Sequence, residues 1–117
     1  MTAIIVDTSA ILAIFDESYA EHPAIAGELE KAEGLLVVSP MVVAEADYML
    51  ASRLGPKAAR RFAADIVSEA YDLAEWTSSD HAAALAVIDR QGDDSDYLGV
   101  ADASNVNLAD RTAPLRS

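Results

Sequence analysis

Three acidic residues in apolar surroundings carry the chemistry this sequence offers: Asp7, Glu45 and Asp102. Asp7 closes the β-branched run Ala3 to Val6, which reads as a buried strand turning into a helix through Asp7-Thr8-Ser9. Glu45 interrupts Val42-Val43-Ala44-Glu45-Ala46, where a charge either faces water or is held by a partner. Val43, Ala46 and Leu50 mark the inward side of that helix and leave Asp47 to the solvent. Asp102 opens a helix in Gly99-Val100-Ala101-Asp102-Ala103. Each acid also has a plain structural reading. Asp7 can cap a helix, Glu45 can lie on a solvated face, and Asp102 can complement a helix dipole. Read together, they point to a shared site. Clustered carboxylates repel one another and raise the pKa of at least one, unless a cation neutralises them. Mg²⁺ and Mn²⁺ suit all-oxygen sites. Such an ion activates water and offsets charge that develops on a phosphodiester.

The elements that must position these acids follow from pattern. After the first strand, Ala10 to Phe15 and Tyr19 to Glu33 read as helices, the second stopped by Gly34. Leu35 to Val38 is a second strand. Ser39-Pro40 then caps and opens a helix from Met41 to Leu54 that stops at Gly55-Pro56. Lys57 to Ala70 reads as helix, Tyr71 to Trp76 as a short strand, and Asp80 to Arg90 as helix with caps available from Thr77 to Ser79. Gln91 to Asp96 is a polar loop, and Leu98 to Val100 leads into a helix from Ala101 to Ala109. Strands alternating with helices imply an α/β domain with a parallel sheet and crossover helices. In such sheets the active site lies outside the carboxyl ends of the strands, which is where the pattern puts Asp7.

A chain of 117 residues fits one domain spanning 1–117. It contains no cysteine, which removes disulfides, thiolate metal sites and cysteine nucleophiles and suits a reducing cytosol. No secretory leader or bilayer-length apolar run is present, so a cytoplasmic protein without membrane contact is expected. The net charge of −12 opposes non-specific nucleic-acid binding but accommodates hard cations and a basic partner. Arg53, Lys57, Arg60 and Arg61 form the one basic cluster. Its plainer reading is a solvated helix face with Arg61 paired to Asp65; its functional reading is a phosphate-binding patch.

The ordered motifs Ile4-Ile5-Val6-Asp7-Thr8-Ser9-Ala10, Ser39-Pro40-Met41-Val42-Val43-Ala44-Glu45 and Leu98-Gly99-Val100-Ala101-Asp102-Ala103-Ser104 resemble those of PIN-domain proteins, in particular VapC-type toxins. The resemblance covers almost the whole chain. It implies a three-layer sandwich with a parallel sheet flanked by helices, and an Mg²⁺- or Mn²⁺-dependent endoribonuclease cutting structured RNA. It also implies neutralisation by a VapB-type antitoxin. By position, Asp7, Glu45 and Asp102 would be catalytic and metal-binding, Thr8 or Ser9 would support the water shell, and Arg53, Lys57, Arg60 and Arg61 would contact RNA. A fourth acidic motif of the Thr-Leu-Asp kind, on a further strand, has no counterpart before Ser117, and Pro114 opposes a strand there. The reading is of a family member shortened at its C-terminus, with the final strands missing and the first strand exposed at an edge. A catalytically impaired toxin that binds an antitoxin or forms a homodimer is the alternative.

Other features carry less. His22 and His81 lack ligand spacing. Asp93-Asp94-Ser95-Asp96 lacks the glycine and terminal glutamate of a calcium loop and reads as a solvated turn, with Asp96 near the site. Trp76, Tyr48 and Phe62 are expected in the core rather than on a base-stacking surface.

Overall fold

The computed structural model describes residues 3–16, 18, 35–91 and 98–112. In chain order these form β1 (Ile4–Ile5), α1 (Thr8–Phe15), β2 (Leu36–Val38), α2 (Pro40–Leu54), α3 (Pro56–Val67), β3 (Asp72–Leu73), α4 (Ser78–Gln91) and α5 (Val100–Thr112). The strands pair in the order β1-β2-β3. Both pairings are parallel, with Ile4 opposite Leu36 and Val38 opposite Leu73. Parallel neighbours need crossover connections, and α2 with α3 supplies the one between β2 and β3.

Alternation along the strands divides the core. Val6 and Val38 point to one face, where Ile11, Leu12, Val42, Leu50 and Phe62 from α1, α2 and α3 pack over them. Val37 points to the other and meets Leu108 of α5, with Ile5 and Trp76 alongside. Side chains of successive strand residues point to opposite faces, so a three-residue β2 serves two helical layers. The α/β sandwich expected from the sequence is the fold observed.

The helix ends are chemically specified. Ser39 caps α2 by accepting the Met41 N–H at 3.1 Å, with Pro40 in the first turn. The α2–α3 corner falls on Gly55 at φ 97° and ψ 167°, a backbone region essentially restricted to glycine. α3 closes by a double turn, the Glu69 N–H bonding to the Ile66 carbonyl and the Ala70 N–H to that of Asp65. Glu69 takes the left-handed position at φ 65°, as the residue after a helix cap commonly does.

α4 starts at a reciprocal capping box. The Thr77 N–H donates to Asp80 Oδ2 at 2.9 Å, and the Asp80 N–H donates to Thr77 Oγ1 at 3.2 Å. The Thr77 N–H and hydroxyl, then the Arg111 guanidinium, hold the Asp80 carboxyl below the usual carboxylate range. A carboxyl whose pKa is depressed by folding stabilises the fold above its unfolded pKa and loses that contribution as pH falls through the folded value. Asp80→Asn is therefore expected to lower the urea midpoint at neutral pH. The gap to the parent should close as pH falls below the ordinary carboxylate range, which urea titrations at several pH values would read.

Several expectations need correction. α1 begins at Thr8 rather than Ala10, because the Asp7 cap draws Thr8 and Ser9 into the first turn. The helix expected over Lys57 to Ala70 is Pro56–Val67. The strand expected over Tyr71 to Trp76 is only Asp72–Leu73, whose side chains are both exposed at the sheet edge. Gln91 ends α4 instead of opening a loop, and α5 runs to Thr112. Tyr48 is 73% exposed rather than in the core. It lies two residues, about 200° of helical turn, from both Ala46 and Leu50 on the buried stripe. Phe62 is buried as expected, while Trp76 is only partly covered. Arg61 and Asp65 do not form the expected ion pair, whereas Arg111 pairs with Asp80 at 3.1 Å. The helix expected over Tyr19 to Glu33, His22, the acidic turn Asp93 to Asp96, and Pro114 lie outside the described residues.

Candidate functional site

β1 and β2 point their carboxyl ends at the same edge of the sheet, and three helices begin there. Asp7 follows β1 and caps α1, its Oδ1 accepting the Ala10 N–H at 2.8 Å. That bond uses one carboxylate oxygen and leaves Oδ2 to the solvent side, where Asp7 is exposed. Thr8 beside it is buried and Ser9 exposed. Of the two hydroxyls, only that of Ser9 is open to water.

Glu45 is exposed on α2, six residues beyond the Ser39 cap, or about 9 Å along the helix axis. Asp102 is exposed in the first turn of α5, where a negative charge meets the positive end of the helix dipole. α2 packs against both α1 and α5, so the three acid-bearing elements form one neighbourhood. The carboxylates themselves do not converge. Among the described residues no three Asp, Glu or His side chains lie close enough to hold one metal ion. Three like charges repel, and all three residues are exposed to water. As a donor set, three carboxylates with nearby hydroxyls and no sulfur match the oxygen chemistry of Mg²⁺ and Mn²⁺.

Beneath the acids lies a feature that sequence reading missed. Ser39 and Ser104 are both fully buried, and their Oγ atoms are 2.7 Å apart. Ser104 also donates to the Ala101 carbonyl at 2.7 Å. Its signal in the sequence is faint: a serine at a position that helical periodicity places with Ala101 and Leu108 on a buried stripe. One turn beyond Asp102, the Oδ1 atom of Asn105 is buried without a hydrogen-bond partner.

The basic cluster flanks the α2–α3 corner. Arg53 lies in the last turn of α2, and Lys57, Arg60 and Arg61 are exposed along α3. Phe62 and Ala59 anchor the opposite side of α3 in the core.

A parallel sheet between helical layers, with an acid after β1 and acids on two helices beside it, is consistent with the motifs that resemble those of PIN domains. The PIN domain family model matches residues 4–112, and the chain belongs to that family. It is 38% identical over 108 residues to Ribonuclease VapC26 of Mycobacterium tuberculosis, covering 92% of this chain and 78% of that protein. It also superposes on the crystal structure of M. tuberculosis VapC20, a Sarcin-Ricin loop cleaving toxin, with a TM-score of 0.83. That match covers 94% of this chain and 82% of VapC20 at 22% identity, and speaks for the fold. Among the described residues no helix is long and apolar enough to cross a membrane.

Proposed function

We propose that the chain is an Mg²⁺- or Mn²⁺-dependent endoribonuclease of the VapC toxin type, cutting structured RNA. The observation that carries this reading is the placement of Asp7, Glu45 and Asp102 on three packed elements beside the carboxyl ends of the parallel sheet. The 38% identity to a VapC ribonuclease supports it. Asp7, Glu45 and Asp102, whose side chains stand apart in this structure, would have to turn inward to hold the cation, which when bound would supply an activated water and offset the charge of the phosphodiester.

The chain's own residues do the rest. The Ala10 N–H fixes one oxygen of Asp7 and so orients the other. Asp102 stands in the first turn of α5, where a negative charge meets the positive end of the helix dipole. Ser9 offers an exposed hydroxyl beside Asp7 as a hydrogen-bond partner for water. Arg53, Lys57, Arg60 and Arg61 supply the positive charge that a chain of net charge −12 otherwise lacks for meeting a polyanion. A VapB-type antitoxin is the expected protein partner, since a basic segment would complement the acidic site.

The test is cleavage of tRNA and rRNA by the purified chain. Fragments are expected with Mg²⁺ or Mn²⁺ and none with EDTA, with activity returning when the metal is restored. Absence of metal-dependent cleavage, under conditions where a VapC ribonuclease cuts, would overturn the nuclease reading. It would favour the alternative of a module that binds antitoxin.

A further inference from the structure

The buried Ser39–Ser104 contact has a direction that hydrogen counting fixes. Each serine hydroxyl carries one hydrogen. Ser104 spends its hydrogen on the Ala101 carbonyl, which can only accept. The 2.7 Å Oγ–Oγ bond must then be donated by Ser39. Ser39 in turn accepts from the Met41 N–H. The result is one continuous chain: Met41 N–H to Ser39, Ser39 to Ser104, Ser104 to the Ala101 carbonyl. It starts in the first turn of α2 and ends in the first turn of α5, on the residue next to Asp102.

Capping α2 does not require this arrangement. A cap needs only an acceptor oxygen, and an exposed serine would leave its hydrogen to water. Ser39 has no water to turn to, because it is fully buried. Its hydrogen has to meet a protein acceptor, and Ser104 provides it from 65 residues away in the sequence. Bonds in such a chain polarise one another and are stronger together in a medium of low dielectric. Their short reach also permits little sliding or rotation of one helix on the other.

We propose that Ser39 and Ser104 are positioning residues, a two-hydroxyl lock that sets the placement of α2 against α5 and thereby of Glu45 against Asp102. The link to catalysis rests on the nuclease reading; the lock itself does not. Loss of either hydroxyl frees the helices to shift while both acids remain. Supporting groups of this kind typically change metal affinity or activity by about 10- to 100-fold.

The experiment exploits the absence of cysteine. Nitroxide labels at Tyr48→Cys on α2 and Ala109→Cys on α5, both exposed positions, report the distance between the helices by double electron–electron resonance. The parent should give one narrow distribution, and Ser104→Ala and Ser39→Ala should broaden or displace it. The same substitutions in the unlabelled chain should weaken Mn²⁺ binding, measured by calorimetry, about tenfold. The double variant Ser39→Ala/Ser104→Ala places two methyl groups where the hydroxyls met and leaves no hydroxyl without a partner; it loses the Met41 N–H cap, so a cooperative melt is the check that it folds without the lock. An unchanged distance distribution in the single and double variants, with only the melting temperature lowered, would overturn the proposal. Broadening together with a parent chain that binds no Mn²⁺ and cuts no RNA would uphold the lock and overturn the nuclease reading instead.

Discussion

Asp7→Asn should abolish metal-dependent RNA cleavage, with kcat/KM falling by more than about 100-fold, while the protein melts within a degree or two of the parent. On the proposed reading Asp7 has two tasks, and this substitution separates them. Its Oδ1 accepts the Ala10 N–H at 2.8 Å and starts α1. Asparagine caps a helix about as well as aspartate, so its amide oxygen keeps that bond and the fold is spared. The amide carries no charge, so it neither neutralises a hard cation nor contributes to its binding as a carboxylate does. Asp7→Ala would remove both functions and add a stability loss of about 1 kcal/mol from the missing cap. Cleavage assays with Mn²⁺ beside thermal melts of both variants distinguish the two roles. If Asp7→Asn cut RNA at the parent rate, Asp7 would be a cap and nothing more.

The largest effect on stability is expected at Phe62, whose truncation to alanine should cost about 3–5 kcal/mol. The ring is 1% exposed and sits edge-on to two others, Phe15 at 6.2 Å and Tyr71 at 5.6 Å between centroids. Edge-to-face pairs add about 0.5–1.5 kcal/mol beyond the area they bury. The loss is comparable to much of the total stability of an ordinary domain, about 5–15 kcal/mol. Phe62→Ala should thus show a strongly reduced urea midpoint and partial unfolding at growth temperature. Burial, and to a lesser extent the Asp65 carboxylate, raise the Tyr71 phenol above its ordinary pKa. Spectroscopic titration of Tyr71 should accordingly move back towards the ordinary value as the cavity admits water. A midpoint within experimental error of the parent would mean that α3 is not held by this aromatic group.

How much of this was legible in the sequence depends on the range of the signal. The end of β2 at Val38, the Ser39-Pro40 helix start and the Gly55-Pro56 stop are local, and each lies where the sequence pattern puts it. Asp7, Glu45 and Asp102 were legible because they interrupt apolar runs, and their elements do come together. β3 was overcalled because Tyr71 and Ala74 are buried without being strand residues; hydrophobicity marked the neighbourhood but not the backbone pairing. Tyr48 misled because aromatic bulk suggests burial, whereas its angle on α2 decides otherwise. The Ser39–Ser104 bond was beyond reach, since each serine has a sufficient local explanation and only the fold shows the pair. The missing convergence of the three carboxylates is also invisible in sequence, which gives positions on elements but not the direction of a side chain.

The corner at Gly55 has a consequence of its own. A Cβ built there would meet no heavy atom within 4 Å, so there is room for a side chain and only the backbone torsion excludes it. Any other residue would relieve that torsion by re-aiming α3, and with it Lys57, Arg60 and Arg61. An uncharged residue bordering an open space thus governs where the positive charge of an acidic protein points. On the proposed reading, alleles that impair RNA capture need not fall on the basic side chains themselves. A glycine whose missing side chain would meet only open space belongs among them.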